Sequence, residues 1–172
     1  MSALVEIIFQ RYNNYAKYGK AWRAKQCALE IIFGNWKEAY ECLPVMLNAM
    51  RAVNPGMHFE YLPKEGETRN GSQVFGRAFW AFEQSIKAFK HCRPVVSIDG
   101  TFLIGKFEGT MLVCIGTYAE DKLVPLAFAI FRKEDTDSWC WFLRLVRQVV
   151  IGLGRDVCVI SDRHAGILNA VE

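Results

Sequence analysis

The sequence predicts an α/β fold built on a mixed sheet, with the order β-β-β-α-β-α over its second half. Three apolar runs rich in β-branched and aromatic residues follow one another closely, at 94–104, 109–119 and 122–132. The connectors between them are short, polar and contain Gly or Asp, which is typical of an antiparallel meander. A helical pattern and a fourth apolar run, at 156–162, come next. A helical crossover allows that fourth strand to run parallel to an earlier one.

The crossover helix is predicted over 135–152, and a further helix is predicted to start at 163–172. Asp137 or Ser138 can cap the first of these helices. Its apolar residues recur at helical spacing and predict a face turned to the core; they are Trp139, Phe142, Leu143, Val146 and Val150. The aromatic group of Trp139, Trp141 and Phe142 could also stack on nucleic-acid bases, but at this spacing burial is the more common role.

The first half predicts a helical region followed by a β-hairpin. One helix covers 20–33, with apolar residues at spacings compatible with one face; they are Trp22, Leu29, Ile32 and Phe33. A second helix is expected from Trp36, interrupted at Pro44 and ending before Asn54-Pro55-Gly56. Strands at 57–62 and 73–82, joined by a polar turn over 63–72, predict the hairpin.

A short amphipathic helix at 83–92 follows the hairpin, and Arg93-Pro94 marks the predicted boundary between two domains, 1–92 and 93–172. Residues 1–93 carry 13 Lys or Arg residues against 8 Glu and no Asp, a net charge of +5. Residues 94–172 carry 8 against 10, a net charge of −2. This asymmetry is compatible with a polyanion contact in the first half and a carboxylate site in the second, or with ordinary solvated charge.

The two N-terminal helices leave two interpretations open. Their basic residues would suit a DNA-binding helix-turn-helix, whereas a plain helical hairpin is the commoner structure; these residues are Lys20, Arg23, Lys25 and Lys37. The six cysteines show no zinc-ligand spacing and predict reduced, buried thiols of an intracellular protein. No apolar run is long enough to span a membrane, so a soluble protein is expected.

Two aspartates stand at the strand positions where chemistry is expected. Asp99 interrupts the first run of the second half and Asp162 ends the fourth. If those two strands pair, the carboxylates become neighbours, and a divalent cation such as Mg²⁺ would relieve their repulsion. Asp99-Gly100 could instead form a hairpin turn, and Asp162 could cap the following helix.

A strand order of this kind, with an acid on the first and fourth strands, is the ribonuclease-H-like arrangement. The motifs along 92–172 resemble the central domain of plant Mutator-like (MULE, MuDR-type) transposases. They occur in order as D-G-T-F, G-K-F-E-G, P-L-A-F-A-I, D-S-W-C-W-F and I-S-D-R-H. Residues 20–56 are similar to the helical region that precedes this domain in the same family.

The resemblance implies a DDE transposase, which uses two aspartates and a glutamate to hold Mg²⁺ or Mn²⁺ and to cleave and transfer DNA strands in transposition. The first two acids correspond to Asp99 and Asp162. No position matches the third acid, and Glu172 would lie about 15 Å along a helix from Asp162. We therefore expect a truncated domain that binds Mg²⁺ or Mn²⁺ weakly or not at all and is inactive by itself. Whether the chain is an enzyme stays open at this point.

The family also implies DNA at transposon ends as the partner, a second copy of the chain as a further candidate partner, and a nuclear location. Candidates for DNA contact or for shaping the site are Lys106, Arg163 and His164, although solvated side chains are the common alternative. Two other functions compete with the transposase interpretation. One is a domesticated DNA-binding or transcriptional regulator derived from the family, and the other is a ribonuclease-H-like nuclease unrelated to transposition.

Overall fold

The computed structural model describes residues 2–34, 36–69, 72–103, 109–162 and 167. It contains five α-helices, six strands, a 3₁₀ turn at Ala119–Asp121 and a π-helical segment at Val146–Ile151 within those residues. The helices are α1 (Ser2–Tyr12), α2 (Tyr18–Phe33), α3 (Trp36–Val53), α4 (Glu83–Phe89) and α5 (Thr136–Leu145). The strands are β1 (His58–Arg69), β2 (Ser72–Ala81), β3 (Val95–Leu103), β4 (Gly109–Thr117), β5 (Leu123–Phe131) and β6 (Cys158–Ser161).

The six strands form one mixed sheet in the order β1-β2-β5-β4-β3-β6. The antiparallel meander predicted from the second half is confirmed, since β3 pairs with β4 and β4 pairs with β5 in that sense. The predicted parallel fourth strand is confirmed as well, because β6 runs parallel to β3. The crossover through α5 makes this possible, since a tight turn would force the two strands antiparallel.

The hairpin of β1 and β2 is longer than predicted. The polar segment after Leu62, which the sequence predicts as a turn, continues as strand to Arg69. Register shifts at Leu62/Pro63 and Pro63/Thr68 break the ladder, and pairing resumes at Thr68↔Gln73. Irregular registers of this kind let a strand absorb Pro and extra residues without ending.

The hairpin also belongs to the same sheet as the strands that follow residue 93. Arg77 to Trp80 of β2 pair with Phe131 to Phe128 of β5. The chain divides into two compact units, Met1–Glu41 and Cys42–Glu172. Hydrogen bonding to β5 therefore ties the hairpin to the second half of the chain, a pairing between residues about 50 positions apart that local sequence does not reveal.

Helix α3 runs through Pro44 without the predicted interruption. Leu43 and Leu47, on either side of Pro44, are buried. A proline inside a helix lacks one backbone donor, and tertiary packing can offset that loss. On the predicted apolar face of α2, Trp22 and Ile32 are 48% and 68% accessible, and Leu29 is half-buried. Helix α1 was not predicted at all.

One face of the sheet carries the main core. Helices α4 and α5 and the π-helical segment pack against β5 or β2. Trp139, Trp141 and Phe142 are buried there, in edge-on contact with Phe79 or with one another, as the core interpretation predicted. The N-cap of α5 is Asp135, not Asp137 or Ser138, because the Asp135 carboxylate accepts the Ser138 N–H.

The cysteines depart from the prediction in one respect. All six are free thiols, but only Cys92 and Cys114 are buried. The other four lie at exposed positions of α2, α3, α5 and β6. An apolar sequence context therefore did not place them in the core, because the faces of these elements, rather than their composition, decide burial.

Candidate functional site

The two predicted acids directly follow the last residue pair of the parallel ladder between β3 and β6. The ladder runs from Val95↔Cys158 to Ile98↔Ser161. Asp99 lies in β3 directly after the last pair, and Asp162 is the first residue after β6. The strand pairing on which the sequence analysis made the closeness of the two carboxylates depend is therefore observed, and the closeness itself stays a prediction.

Asp99 is part of a strand and not of a turn. It pairs with Val113 of β4, and Gly100 pairs with Leu112, so the hairpin-turn alternative for Asp99-Gly100 is wrong. Asp99 is exposed, although its apolar surroundings in the sequence suggest a buried strand. The reason is that β6 ends at Ser161, so within the described residues the second half of β3 has a partner strand only on its β4 side.

The Asp99 carboxylate interacts with its own strand. One of its oxygens, Oδ1, accepts the Gly100 N–H at 2.9 Å. This bond supplies a partner for a backbone donor at the point where the β6 ladder ends. It leaves the second carboxylate oxygen available for another ligand, since an ionised carboxylate offers about four acceptor sites.

Gly100 is required on the opposite face of the sheet. A Cβ atom at this position would lie 2.9 Å from Cδ2 of Leu112, which is fully buried. A real side chain would thus push into the core between β3 and β4. The glycine lets the two strands and the Leu112 side chain pack closely, rather than making room beside the carboxylate as its sequence position suggests.

Asp162 is exposed at the end of β6. Its backbone carbonyl accepts the Ser161 hydroxyl at 3.1 Å. A role as N-cap would need the backbone of the following residues, 163–166, which lie outside the described residues. Within the described ranges no Lys or Arg side chain forms an ion pair with Asp99 or Asp162.

The donor set suits a hard divalent cation. Carboxylate oxygens are the ligands that Mg²⁺ and Mn²⁺ prefer, and an exposed pair leaves coordination positions for water and phosphate. Across the part of the chain that the structure describes, no group of three or more His, Cys, Asp or Glu residues could hold a metal ion. The candidate ligands that the structure describes are the two predicted acids, Asp99 and Asp162. Lys106, Arg163, His164 and Glu172 lie outside the described residues.

Arg155, in the loop that leads into β6, was not singled out in the sequence. Its guanidinium donates to the backbone oxygens of Phe89 and Cys92, each at 2.6 Å. A basic residue in a loop before a strand is a common feature, so the sequence carries no signal for this role. Only the folded chain brings it to carbonyl groups more than 60 positions away.

Comparison with known proteins bears on the second half of the chain. The family model described as MULE transposase domain matches residues 95–172. No curated protein and no solved structure matches the chain significantly. None of the described helices is long and apolar enough to cross a membrane.

The residues that match the family model begin with the first residue of β3 and include Asp99 and Asp162. The match supports a Mutator-like transposase family for this part of the chain, and such a family implies DNA binding in general.

Proposed function

We propose that residues 95–172 derive from the catalytic domain of a DDE transposase, in which Asp99 and Asp162 bind Mg²⁺ or Mn²⁺ for the cleavage and transfer of DNA strands. The observation that carries this proposal is the parallel register of β3 and β6, with Ile98 opposite Ser161. Asp99 and Asp162 are the residues that come directly after this pair. The match of this segment to the MULE transposase domain supports the same conclusion.

The strand order supports a ribonuclease-H-like interpretation of this segment. Counted from β3, the four strands lie in the order third, second, first and fourth across the sheet. The crossover helix α5 comes between the third and the fourth. Asp99 lies in the first strand, directly after its last residue paired with the fourth, and Asp162 directly follows the fourth strand.

The two carboxylates would hold the cation at the exposed edge of the sheet. A bound divalent cation polarises a phosphodiester, lowers the pKa of an attacking water or hydroxyl group and stabilises the leaving oxygen. Asp99 presents its carboxylate on a half-strand that is open to solvent, where a sugar-phosphate backbone has access. DNA is thus the proposed substrate, and the resemblance to the transposase family is the ground for proposing a nuclear location.

Titration calorimetry with Mn²⁺ and with Mg²⁺ tests the proposal. We expect wild-type protein to bind Mn²⁺, and Asp99→Asn or Asp162→Asn to remove most of the heat, because each substitution takes away one of two charged ligands. Asp156→Asn is the matched control, since Asp156 is an exposed aspartate in the loop before β6. Equal binding by wild type and both site variants would overturn the assignment of these residues.

A DNA-binding measurement distinguishes the regulatory alternative. Fluorescence anisotropy with a labelled duplex should show binding that strengthens with Mn²⁺ in wild type but not in Asp99→Asn. Metal-independent DNA binding, together with no Mn²⁺ heat in wild type, would instead favour a transposase-derived DNA-binding protein and contradict the metal-dependent function.

A further inference from the structure

Arg155 joins the loop before β6 to the end of α4. Its two terminal nitrogens donate to separate backbone oxygens, those of Phe89 and Cys92. Its guanidinium also lies 4.6 Å from the centre of the Phe89 ring. The Phe89 oxygen also accepts the Cys92 N–H at 3.0 Å, so Arg155 adds a second donor there and supplies one to the Cys92 oxygen. A planar, two-pronged cation is well suited to two such acceptors. The side chain is half-buried and held by three contacts.

The loop that carries Arg155 is itself anchored to the preceding helix. Arg147, in the π-helical segment, donates from its guanidinium to the backbone oxygens of Leu153 and Arg155. The Gly152 N–H donates to the Arg147 oxygen at 2.9 Å, and Gly152 has a φ of +81° that ends the helix. The backbone of 152–155 is therefore fixed on one side by Arg147 and on the other by Arg155.

Both strands of the candidate site begin at this junction. Cys92 lies three residues before β3, and Arg155 lies three residues before β6. The first backbone bond between the two segments follows at once, from the Cys158 N–H to the Pro94 oxygen at 2.9 Å. The ladder that aligns Ile98 with Ser161 is then only four residue pairs long. So short a ladder has few bonds of its own to set its register.

We propose that Arg155 is a positioning residue that holds β6 in register with β3 and so keeps Asp162 beside Asp99. The inference has two parts. That Arg155 fixes the register of β6 is argued from its hydrogen bonds alone. That this register keeps two metal ligands together rests on the proposed function. A shift by one residue would turn the Asp162 side chain to the other sheet face, because strand side chains alternate with a period of two.

The geometry requires arginine rather than a positive charge in general. A lysine at this position could donate to one of the two carbonyl oxygens, but its ammonium cannot reach both in the planar fork arrangement. We therefore expect the protection of β6 amides from exchange to be highest in wild type, intermediate in Arg155→Lys and lowest in Arg155→Ala. Arg144→Ala is the matched control, since Arg144 is an exposed arginine of the neighbouring helix α5.

Native-state hydrogen exchange tests the structural part without any metal. We expect Arg155→Ala to speed amide exchange in β6, Cys158–Ser161, by about tenfold or more, while amides of β4 and β5 stay near wild-type rates. Arg155→Lys should fall between, and Arg144→Ala should match wild type. Uniform acceleration across the whole sheet, or no change in β6, would overturn the proposal.

Paramagnetic broadening by Mn²⁺ tests the consequence for the site. In wild type, Mn²⁺ should broaden the amide signals of both Gly100 and Ser161. In Arg155→Ala the affinity should fall about 10–100-fold, as is usual when a residue that orients metal ligands is lost. At saturating Mn²⁺, broadening in this variant should persist at Gly100 and weaken at Ser161. A loss of global stability would instead affect both amides alike.

The two proposals fail in different ways. If wild type shows no Mn²⁺ broadening, the metal function is contradicted, and hydrogen exchange still decides whether Arg155 holds β6. If wild type and Arg155→Ala bind Mn²⁺ equally and broaden the same amides on both strands, the metal function stands and the positioning role of Arg155 is wrong.

Discussion

The two halves of β3 show how one strand serves both as core and as site. In the first half, from Val96 to Ile98, the strand has partners on both sides, and Val96 and Ile98 are 0% and 4% exposed. In the second half, Asp99–Leu103, it pairs with β4 only, and Phe102 is 75% exposed. The change falls where β6 ends. The end of a neighbouring strand, rather than the hydrophobicity of the residues, thus separates the two environments.

The difference explains why a carboxylate is tolerated within an apolar strand. A charge buried without a partner would be strongly destabilising. Asp99 avoids that cost because it is the first residue beyond the β6 ladder and remains in contact with solvent. Asp162 directly follows the last residue of β6, at the same end of the ladder.

The largest effect that would test this contrast is expected in the first half of β3. Ile98→Ala should lower the free energy of unfolding by about 2–5 kcal/mol, because a buried side chain is lost and a cavity remains. Phe102→Ala removes a larger side chain but should cost at most about 1 kcal/mol, since only strand propensity is affected. Urea denaturation of both variants measures the difference, and similar losses would contradict the two environments.

The second effect is a loss of stability at alkaline pH, and it comes from Cys114. This residue pairs with Ile98 across the ladder and is fully buried. Burial raises the pKa of the Cys114 thiol from its ordinary value of 9.0 to about 12. Below about pH 9 the thiol is protonated in both states, and its contribution to stability is present in full. As the pH rises from there toward 12, the unfolded thiol ionises first and the contribution is lost.

The slope of this loss should approach about 1.4 kcal/mol per pH unit. Urea denaturation at pH 8, 9 and 10 measures it, and Cys114→Ala is the comparison because it has no thiol to titrate. The variant will be less stable throughout, so the informative quantity is the difference in slope between the two proteins. Parallel slopes above pH 9 would show that Cys114 is not buried as described.

The smallest effect is expected at the junction between the two halves. Gly100→Ala should cost about 1 kcal/mol, because overpacking against Leu112 is partly offset by the lower entropy of the unfolded chain. Gly154→Ala is the matched control, since no atom lies within 4 Å of a Cβ built there. Combining Gly100→Ala with Leu112→Ala should relieve the clash, so the double variant should lose less stability than the sum of the two single variants. If the two losses in free energy of unfolding simply add, the clash with Leu112 is contradicted.

Most of the second half could be predicted from local patterns. Alternating and apolar runs predicted β3, β4, β5 and β6 with ends within a few residues, and the apolar stripe of Trp139, Phe142 and Val146 predicted the buried side of the crossover. These succeed because strand and helix periods are properties of adjacent residues. The sequence analysis could only assume that β3 pairs with β6, because no local pattern specifies which strands pair.

The first half was predicted less well, for identifiable reasons. Pro44 and the polar segment after Leu62 are both signals that end an element in isolation. In the folded chain, packing carries α3 through the proline, and register shifts carry β1 through the polar segment. In both places tertiary contacts outweighed a local preference.

By itself the sequence determined the types and order of the elements from residue 94 to 162, the buried face of α5, and the two aspartates that end up on neighbouring strands. Only the tertiary structure decided that Asp99 is exposed, that β2 joins the sheet through β5, and that Arg155 ties the start of β6 to the end of α4. The physical reason is distance along the chain. Arg155 bonds to groups 66 and 63 positions away, and such contacts follow from how strands meet rather than from their local sequence.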